Sequence, residues 1–176
     1  MYSLYARVNN GFAFMSSCLM AMLAAIALSS FLFTADPKGQ LTIFNFKVYA
    51  SADAKADSRF QEIGLARFNL TADLTPLFHW NTKQLFIYVT AEYNNSDGTH
   101  NEVTMWDRIV RRKEDALIDV VAPPKYPLRD MRYSFKKSSP VQFALKYNLM
   151  PYVGALTYGE AARTEPQPFP PKVGKL

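Results

Sequence analysis

The chain offers two histidines, His79 and His100, and one cysteine, Cys18, so any Ser-His-Asp or Cys-His machinery must use these few residues. His100 falls in the polar run Asn94-Asn95-Ser96-Asp97-Gly98-Thr99-His100-Asn101, where nothing apolar would hold it against a nucleophile; it reads as a loop histidine. His79 precedes Trp80 at the end of an irregular stretch and reads as a half-buried ring bonded to backbone. Serines and lysines are plentiful enough for a Ser-Lys dyad, but no serine sits in a recognisable nucleophile turn. G-x-S-x-G, H-E-x-x-H, C-x-x-C, G-x-x-x-x-G-K and G-x-G-x-x-G are all missing from the sequence. Two distant histidines and a cysteine inside an apolar run cannot close a zinc site, so neither metal nor cofactor is expected. The acidic pair Glu114-Asp115 reads as a solvated turn.

What remains is modification and binding. Asn69-Leu70-Thr71 and Asn94-Asn95-Ser96 are glycosylation acceptors if this part of the chain faces a lumen or the cell exterior. Asn94, at the entry to the polar loop, is the better candidate. Asn69 alternates with Phe68 and Leu70 and so points away from a core, with Arg67 and Thr71.

The elements that hold these residues divide sharply. Residues 1–35 carry one charged side chain, Arg7, whereas residues 36–176 carry 19 basic and 15 acidic ones, so the two parts face different solvents. Phe12 to Phe33 is an uncharged run of 22 residues, which as a helix spans about 33 Å and matches a bilayer core. A cleaved signal peptide would use Arg7 as its positive region and Ala27-Leu28-Ser29 as its cleavage site. The apolar run continues past that site through Phe31, Leu32 and Phe33 before the polar exit Asp36-Pro37-Lys38-Gly39, which favours an uncut anchor. Arg7 with the α-amino group, set against Lys38 and two downstream sequons, favours a cytosolic N-terminus and a lumenal C-terminal domain. Ser17, Ala21, Ala25 and Ser29 recur every four residues as a ridge of small side chains. Such a ridge admits a partner helix at close range, although alanine is also simply common in membrane helices.

Beyond the span, period-two alternation marks antiparallel strands. Leu85, Ile87, Val89, Ala91 and Tyr93 share one face, as do Val141, Phe143, Leu145, Tyr147 and Leu149. Phe44, Phe46 and Val48 form a third set, and Met131, Tyr133 and Phe135 a fourth. Shorter strands are expected over 64–70, 102–112 and 116–121, giving seven strands and a mostly β fold, an antiparallel sandwich behind one N-terminal transmembrane helix. Ala72 to Thr82 has neither period and suits a short helical turn capped by Asp73 or Thr75, with Pro76 first. Pro166, Pro168, Pro170 and Pro171 make an extended or mobile end that cannot enter a sheet interior. The expected boundaries are a cytosolic start at 1–11, the span at 12–33, a β-domain at 34–159 and a Pro-rich tail at 160–176.

The net charge of +5 is densest at Arg108, Arg111, Arg112 and Lys113. A nucleic-acid groove would need stacking aromatics beside such a cluster. A charged, solvated strand edge is the reading taken, and no nucleic acid is expected. The 13 Phe and 10 Tyr are accounted for by β-propensity and core filling.

The segment Phe68-Asn69-Leu70-Thr71-Ala72-Asp73-Leu74-Thr75-Pro76-Leu77-Phe78-His79-Trp80-Asn81-Thr82-Lys83-Gln84-Leu85-Phe86, followed by Thr90-Ala91-Glu92-Tyr93, resembles the signal peptidase complex subunit 3 family. The likeness continues at Val103 and Trp106-Asp107-Arg108-Ile109-Val110, and at Arg7-Val8-Asn9-Asn10 with Phe12-Ala13-Phe14. Tyr147-Asn148-Leu149-Met150-Pro151 with Gly154 is similar to the family's W-N-x-x-P-x-x-G, Tyr147 standing where Trp is usual. The resemblance implies a single-pass type II protein of the endoplasmic reticulum membrane, its β-domain in the lumen. The family is one of glycoproteins, but sequon positions vary within it, so glycosylation at Asn69 or Asn94 is not carried over. It implies as partners the catalytic subunit of a serine-type peptidase and the other small membrane subunits, with the bilayer, and nascent signal-peptide-bearing substrates only indirectly. On that reading the chain is not itself an enzyme, and it supports signal-peptide removal by positioning the catalytic subunit. The stretch from Asp73 to Lys83 and Gln84 either docks a partner or closes the sandwich, with Phe78 and Trp80 in the core. The chain lacks a K-D-E-L ending, so residence in the reticulum would depend on assembly. Rival classes are a membrane-anchored adhesion or receptor sandwich and a membrane-anchored hydrolase.

Overall fold

A computed structural model describes residues 3–52, 60–130 and 134–175. Helix α1 (Leu4–Ser29) begins eight residues ahead of Phe12, because the Ser3 hydroxyl accepts a hydrogen bond from the Ala6 N–H at 3.3 Å and caps the first turn. A 3-10 turn, Ser30–Leu32, extends it. From Leu4 to Leu32 the helix is 29 residues long and apolar enough to cross a membrane. None of its residues is fully buried, and Ile26, Ala27, Ser29 and Ser30 at its end are half-buried.

Nine strands follow among the described residues: β1 (Lys38–Ala52), β2 (Phe60–Asp73), β3 (Thr82–Asn94), β4 (His100–Val110), β5 (Leu117–Ala122), β6 (Leu128–Arg129), β7 (Gln142–Pro151), β8 (Thr157–Arg163) and β9 (Lys172–Lys175). They form two sheets, one ordered β5-β2-β1-β9 with β6 also on β2, the other ordered β4-β3-β7-β8. Pairing is antiparallel except between β1 and β9, which run parallel. The inner face of β3 is the alternation read from sequence: Leu85, Ile87, Val89, Ala91 and Tyr93 are at most 3% exposed. Phe143 and Leu145 of β7 join them, and Val48, Phe68 and Leu70 close the core from the other sheet. Fully burying each such side chain contributes about 1.5–3 kcal/mol, and edge-to-face ring pairs, Phe68 on Trp106 and Phe46 on Phe143, add specificity.

Three expectations are corrected. Phe44, Phe46 and Val48 do not share a face: the β1–β2 register shifts between Phe44 and Lys47, with Asn45 at φ 53°. The bulge moves the buried phase from Leu41 and Ile43 to Phe46 and Val48, leaving Phe44 off the core. No strand runs through Ser134 to Lys136, and Met131 to Tyr133 of the same expected strand lie outside the described residues. The Phe135 N–H and the Ser134 hydroxyl instead donate to the Glu62 carboxylate, at 2.6 and 3.0 Å, which takes the place of a ladder partner. Phe135 itself is buried and stacked on Phe169 at 4.6 Å. The Pro-rich end lies against the sandwich: β8 runs across the boundary expected at 159/160, Gln167 bridges to Val141, and β9 pairs with β1. Both β8 and β9 are sheet edges, so the prolines between them never enter a sheet interior.

Candidate partner-contact site

The residues between β2 and β3 form a tight knot built by short-range hydrogen bonds. Asp73 Oδ1 accepts from the Thr75 N–H at 3.0 Å and hydroxyl at 2.6 Å, and these bonds hold its carboxyl below the usual range. They set up the 3-10 turn Thr75–Leu77 with Pro76 at its start, and the turn drives Leu77 into the core beside the fully buried Leu74. The Thr82 hydroxyl donates to the Leu77 carbonyl at 2.9 Å and accepts from the His79 N–H at 3.2 Å.

His79 Nδ1 accepts from the Asn81 N–H at 3.2 Å, and its ring stacks on Phe33 with centroids 4.7 Å apart. Burial pushes its pKa down, toward the neutral ring that the accepting Nδ1 requires. The half-buried, backbone-bonded histidine expected from sequence is what the structure contains.

Asn81 ties this knot to the end of the helix. Its side chain is buried; Nδ2 donates to the Ser30 hydroxyl at 2.6 Å and the Val153 carbonyl at 2.7 Å, and Oδ1 accepts from the Val153 N–H at 3.1 Å. The Tyr152 N–H adds a bond to the Asn81 carbonyl at 2.8 Å. One turn back along the helix, Gly154 at φ 120° lies against Ala27, where a Cβ would stand 3.3 Å from the alanine's own. Two of the stretches that carry the family likeness, around Trp80-Asn81 and Pro151 to Gly154, therefore meet at the helix end. A cavity of about 320 Å³ opens beside them, lined among others by Ser30, Phe33, His79, Tyr147 and Tyr158. Asn81 and Gly154 belong to the stretches that carry the likeness, but their meeting with Ser30 and Ala27 is not legible in the sequence, because no periodicity links positions so far apart in the chain.

The other sequence-derived candidates are spread out. Ser17, Ala21 and Ala25 are exposed along α1, and Ser29 is half-buried. Ser17 and Ser29 donate their hydroxyls to their own helix, to the carbonyls of Ala13 and Ile26. Asp73 and Lys83 are exposed on either flank of the knot, and half-buried Gln84 donates to Met150 Sδ at 3.1 Å. Asn69 faces outward from β2 with Arg67 and Thr71. Asn94 is exposed where the β3–β4 loop begins, its Oδ1 3.3 Å from His100 Nδ1. Arg108 lies on the edge strand β4, and Arg111, Arg112 and Lys113 are exposed just past it. Trp80 is a correction: it is 57% exposed rather than in the core, because the turn that buries Asn81 points its neighbour outward. Phe78 is half-buried against the core.

Comparison with known proteins gives a consistent result. A family model described as "Signal peptidase subunit" matches residues 1–172. The chain is 33% identical to signal peptidase complex subunit 3 of Caenorhabditis briggsae, covering 97% of this chain and 95% of that one. It is 48% identical to the Saccharomyces cerevisiae subunit 3 over 53% of this chain and 52% of the relative, so that match spans about half of the yeast protein. The Drosophila melanogaster subunit 3 is 31% identical over 86% of this chain and 87% of the relative.

Proposed function

The chain belongs to the signal peptidase subunit family, and on that premise we propose that it is a non-catalytic subunit of the signal peptidase complex of the endoplasmic reticulum. Helix α1 anchors it as an uncut, type II span with the sandwich in the lumen. There it binds and positions the catalytic subunit, beside the other small membrane subunits, and supports removal of signal peptides without touching the reacting atoms. The observation that carries the reading is the family match over nearly the whole chain, span and sandwich together. The setting of the histidines supports the non-catalytic part: His79 accepts from backbone and stacks on Phe33, and His100 is exposed beside Asn94.

The open ridge of Ser17, Ala21 and Ala25 is the proposed intramembrane contact, since small side chains let a second helix approach closely. Asp73, Lys83 and Gln84 are the proposed lumenal contacts around the knot. Purification of the tagged chain from mildly solubilised membranes tests both. A serine-type peptidase subunit should co-purify, and Ala21→Leu with Ala25→Leu should reduce its recovery while leaving insertion intact, whereas Met20→Leu should not. A chain that brings down no peptidase subunit would contradict the proposal. Undiminished recovery with the double variant would move the contact to the lumenal domain.

A further inference from the structure

The domain's membrane-side rim is unusual in its side chains. Leu74 to Thr82 and Tyr147 to Gly159 contain no Asp, Glu, Lys or Arg, yet Asp73, Lys83, Lys146 and Glu160 stand immediately outside them. Within these charge-free stretches Trp80 (57%), Tyr152 (67%) and Leu156 (48%) are exposed, next to the exposed Phe31 and Leu32 of the helix end. Nothing in the fold requires large apolar groups to face water here, and the adjoining Asn81 and Gly154 show the backbone pinned to the helix at this point.

Depth follows from helix geometry. Leu4 to Leu32 comprises 29 residues, about 43 Å at ~1.5 Å per residue, close to the full thickness of a bilayer with its headgroup layers. Ala27 lies five residues before the helix end, about 7.5 Å inside it at the same rise. The Gly154 loop touches Ala27 within two turns of the helix end, which holds Tyr152 and Leu156 close to where the span leaves the bilayer, beside the headgroup layer, and Trp80 is tied there through Asn81. Trp and Tyr favour that layer because an apolar ring and a polar N–H or O–H are both accommodated, and charged side chains become costly just beneath it, in the hydrocarbon.

We propose that Trp80, Tyr152 and Leu156 insert into the phospholipid interface as a second, shallow membrane contact, which together with the Asn81–Ser30 bond and the Gly154–Ala27 contact fixes the tilt of the sandwich over its own span. The occupant is the bilayer rather than a protein groove, because the rim is continuous with the lipid-facing apolar surface of α1 and bounded by charge where it leaves it. This rests on α1 being a membrane span.

Tryptophan fluorescence tests it, since the second tryptophan, Trp106, is 6% exposed and packed on Phe68. The full chain is reconstituted in phosphatidylcholine vesicles whose acyl chains are brominated either near the glycerol or near the methyl end. Trp80 emission should be quenched most by the shallow bromines. The quenchable fraction should vanish in Trp80→Phe and diminish in Tyr152→Glu with Leu156→Glu, with every variant still resisting alkaline extraction. Alkali-resistant wild-type chain whose Trp80 is quenched by aqueous acrylamide and not by brominated lipid would overturn the inference while leaving the anchor intact. Release by alkali would overturn both. Lipid quenching present for the isolated chain but lost in the purified complex would also overturn it, showing that a protein partner covers the rim.

Discussion

Asn81 does the joining at the helix–domain boundary with a single amide. Replacing it by Ala leaves the Val153 N–H and carbonyl without their partner and frees Ser30. A buried polar group left unpaired costs about 1–3 kcal/mol, so Asn81→Ala should lower the melting temperature of the detergent-solubilised chain by several degrees, while exposed Lys83→Ala leaves it unchanged. Scanning fluorimetry of both variants against wild type checks this. At this scale the sequence was partly legible. The surroundings of His79 give its half-buried, backbone-bonded setting, and alternation and turn chemistry place Asn69 and Asn94 outward. His100 is exposed as expected but opens β4, paired with Asn94, rather than lying in the loop. Trp80 was misplaced because hydrophobicity alone argues for burial, whereas the neighbouring amide, with three bonds to make, took the interior position.

Elements with one uninterrupted face are readable: the inner sets of β3 and β7 face the core as alternation predicts, although Thr90, Glu92 and Ala144 on the opposite faces are buried as well. Legibility failed where a long-range polar contact decided the backbone. The bulge at Asn45 changed the phase of β1, and the Glu62 carboxylate on β2 captured Ser134, Phe135 and Lys172, which drew 134–136 out of a ladder and placed β9. Burial pushes the Glu62 carboxyl up, but hydrogen bonds from Lys172, the Phe135 N–H and Ser134 pull it further down, to a net value below the ordinary 4.5. Glu92 behaves alike: burial raises it, and Lys146 at 2.5 Å and Arg163 at 2.7 Å more than offset this. A carboxyl depressed in the folded state contributes stability that is fully present above its unfolded pKa and lost as pH falls through the folded value. Urea denaturation should therefore show stability level near neutrality and declining below the ordinary 4.5. The decline should be shallower in Glu62→Gln than in wild type, and an equal decline would remove Glu62 from the account.

At the scale of the molecule, the described residues form one apolar helix and one sandwich joined at the junction, and the proposed topology has a direct readout. In sealed microsomes, protease added outside should shorten the chain only slightly, by the few residues ahead of α1, and detergent should expose the rest. Digestion of the sandwich without detergent would contradict a lumenal domain. Glycosidase should shift the chain's mobility if either sequon is used, with Asn94→Gln abolishing the shift; a shift that survives assigns the glycan to Asn69. The central claim, that the chain supports signal-peptide cleavage without supplying a catalytic group, is tested most directly by pulse-labelling a secretory precursor in cells depleted of the chain and complemented by His79→Gln with His100→Gln. Depletion should make the uncut precursor accumulate, and the double variant should restore cleavage to near the wild-type rate. Cleavage that proceeds normally in depleted cells, or that fails with the double variant while the complex assembles normally, would contradict it.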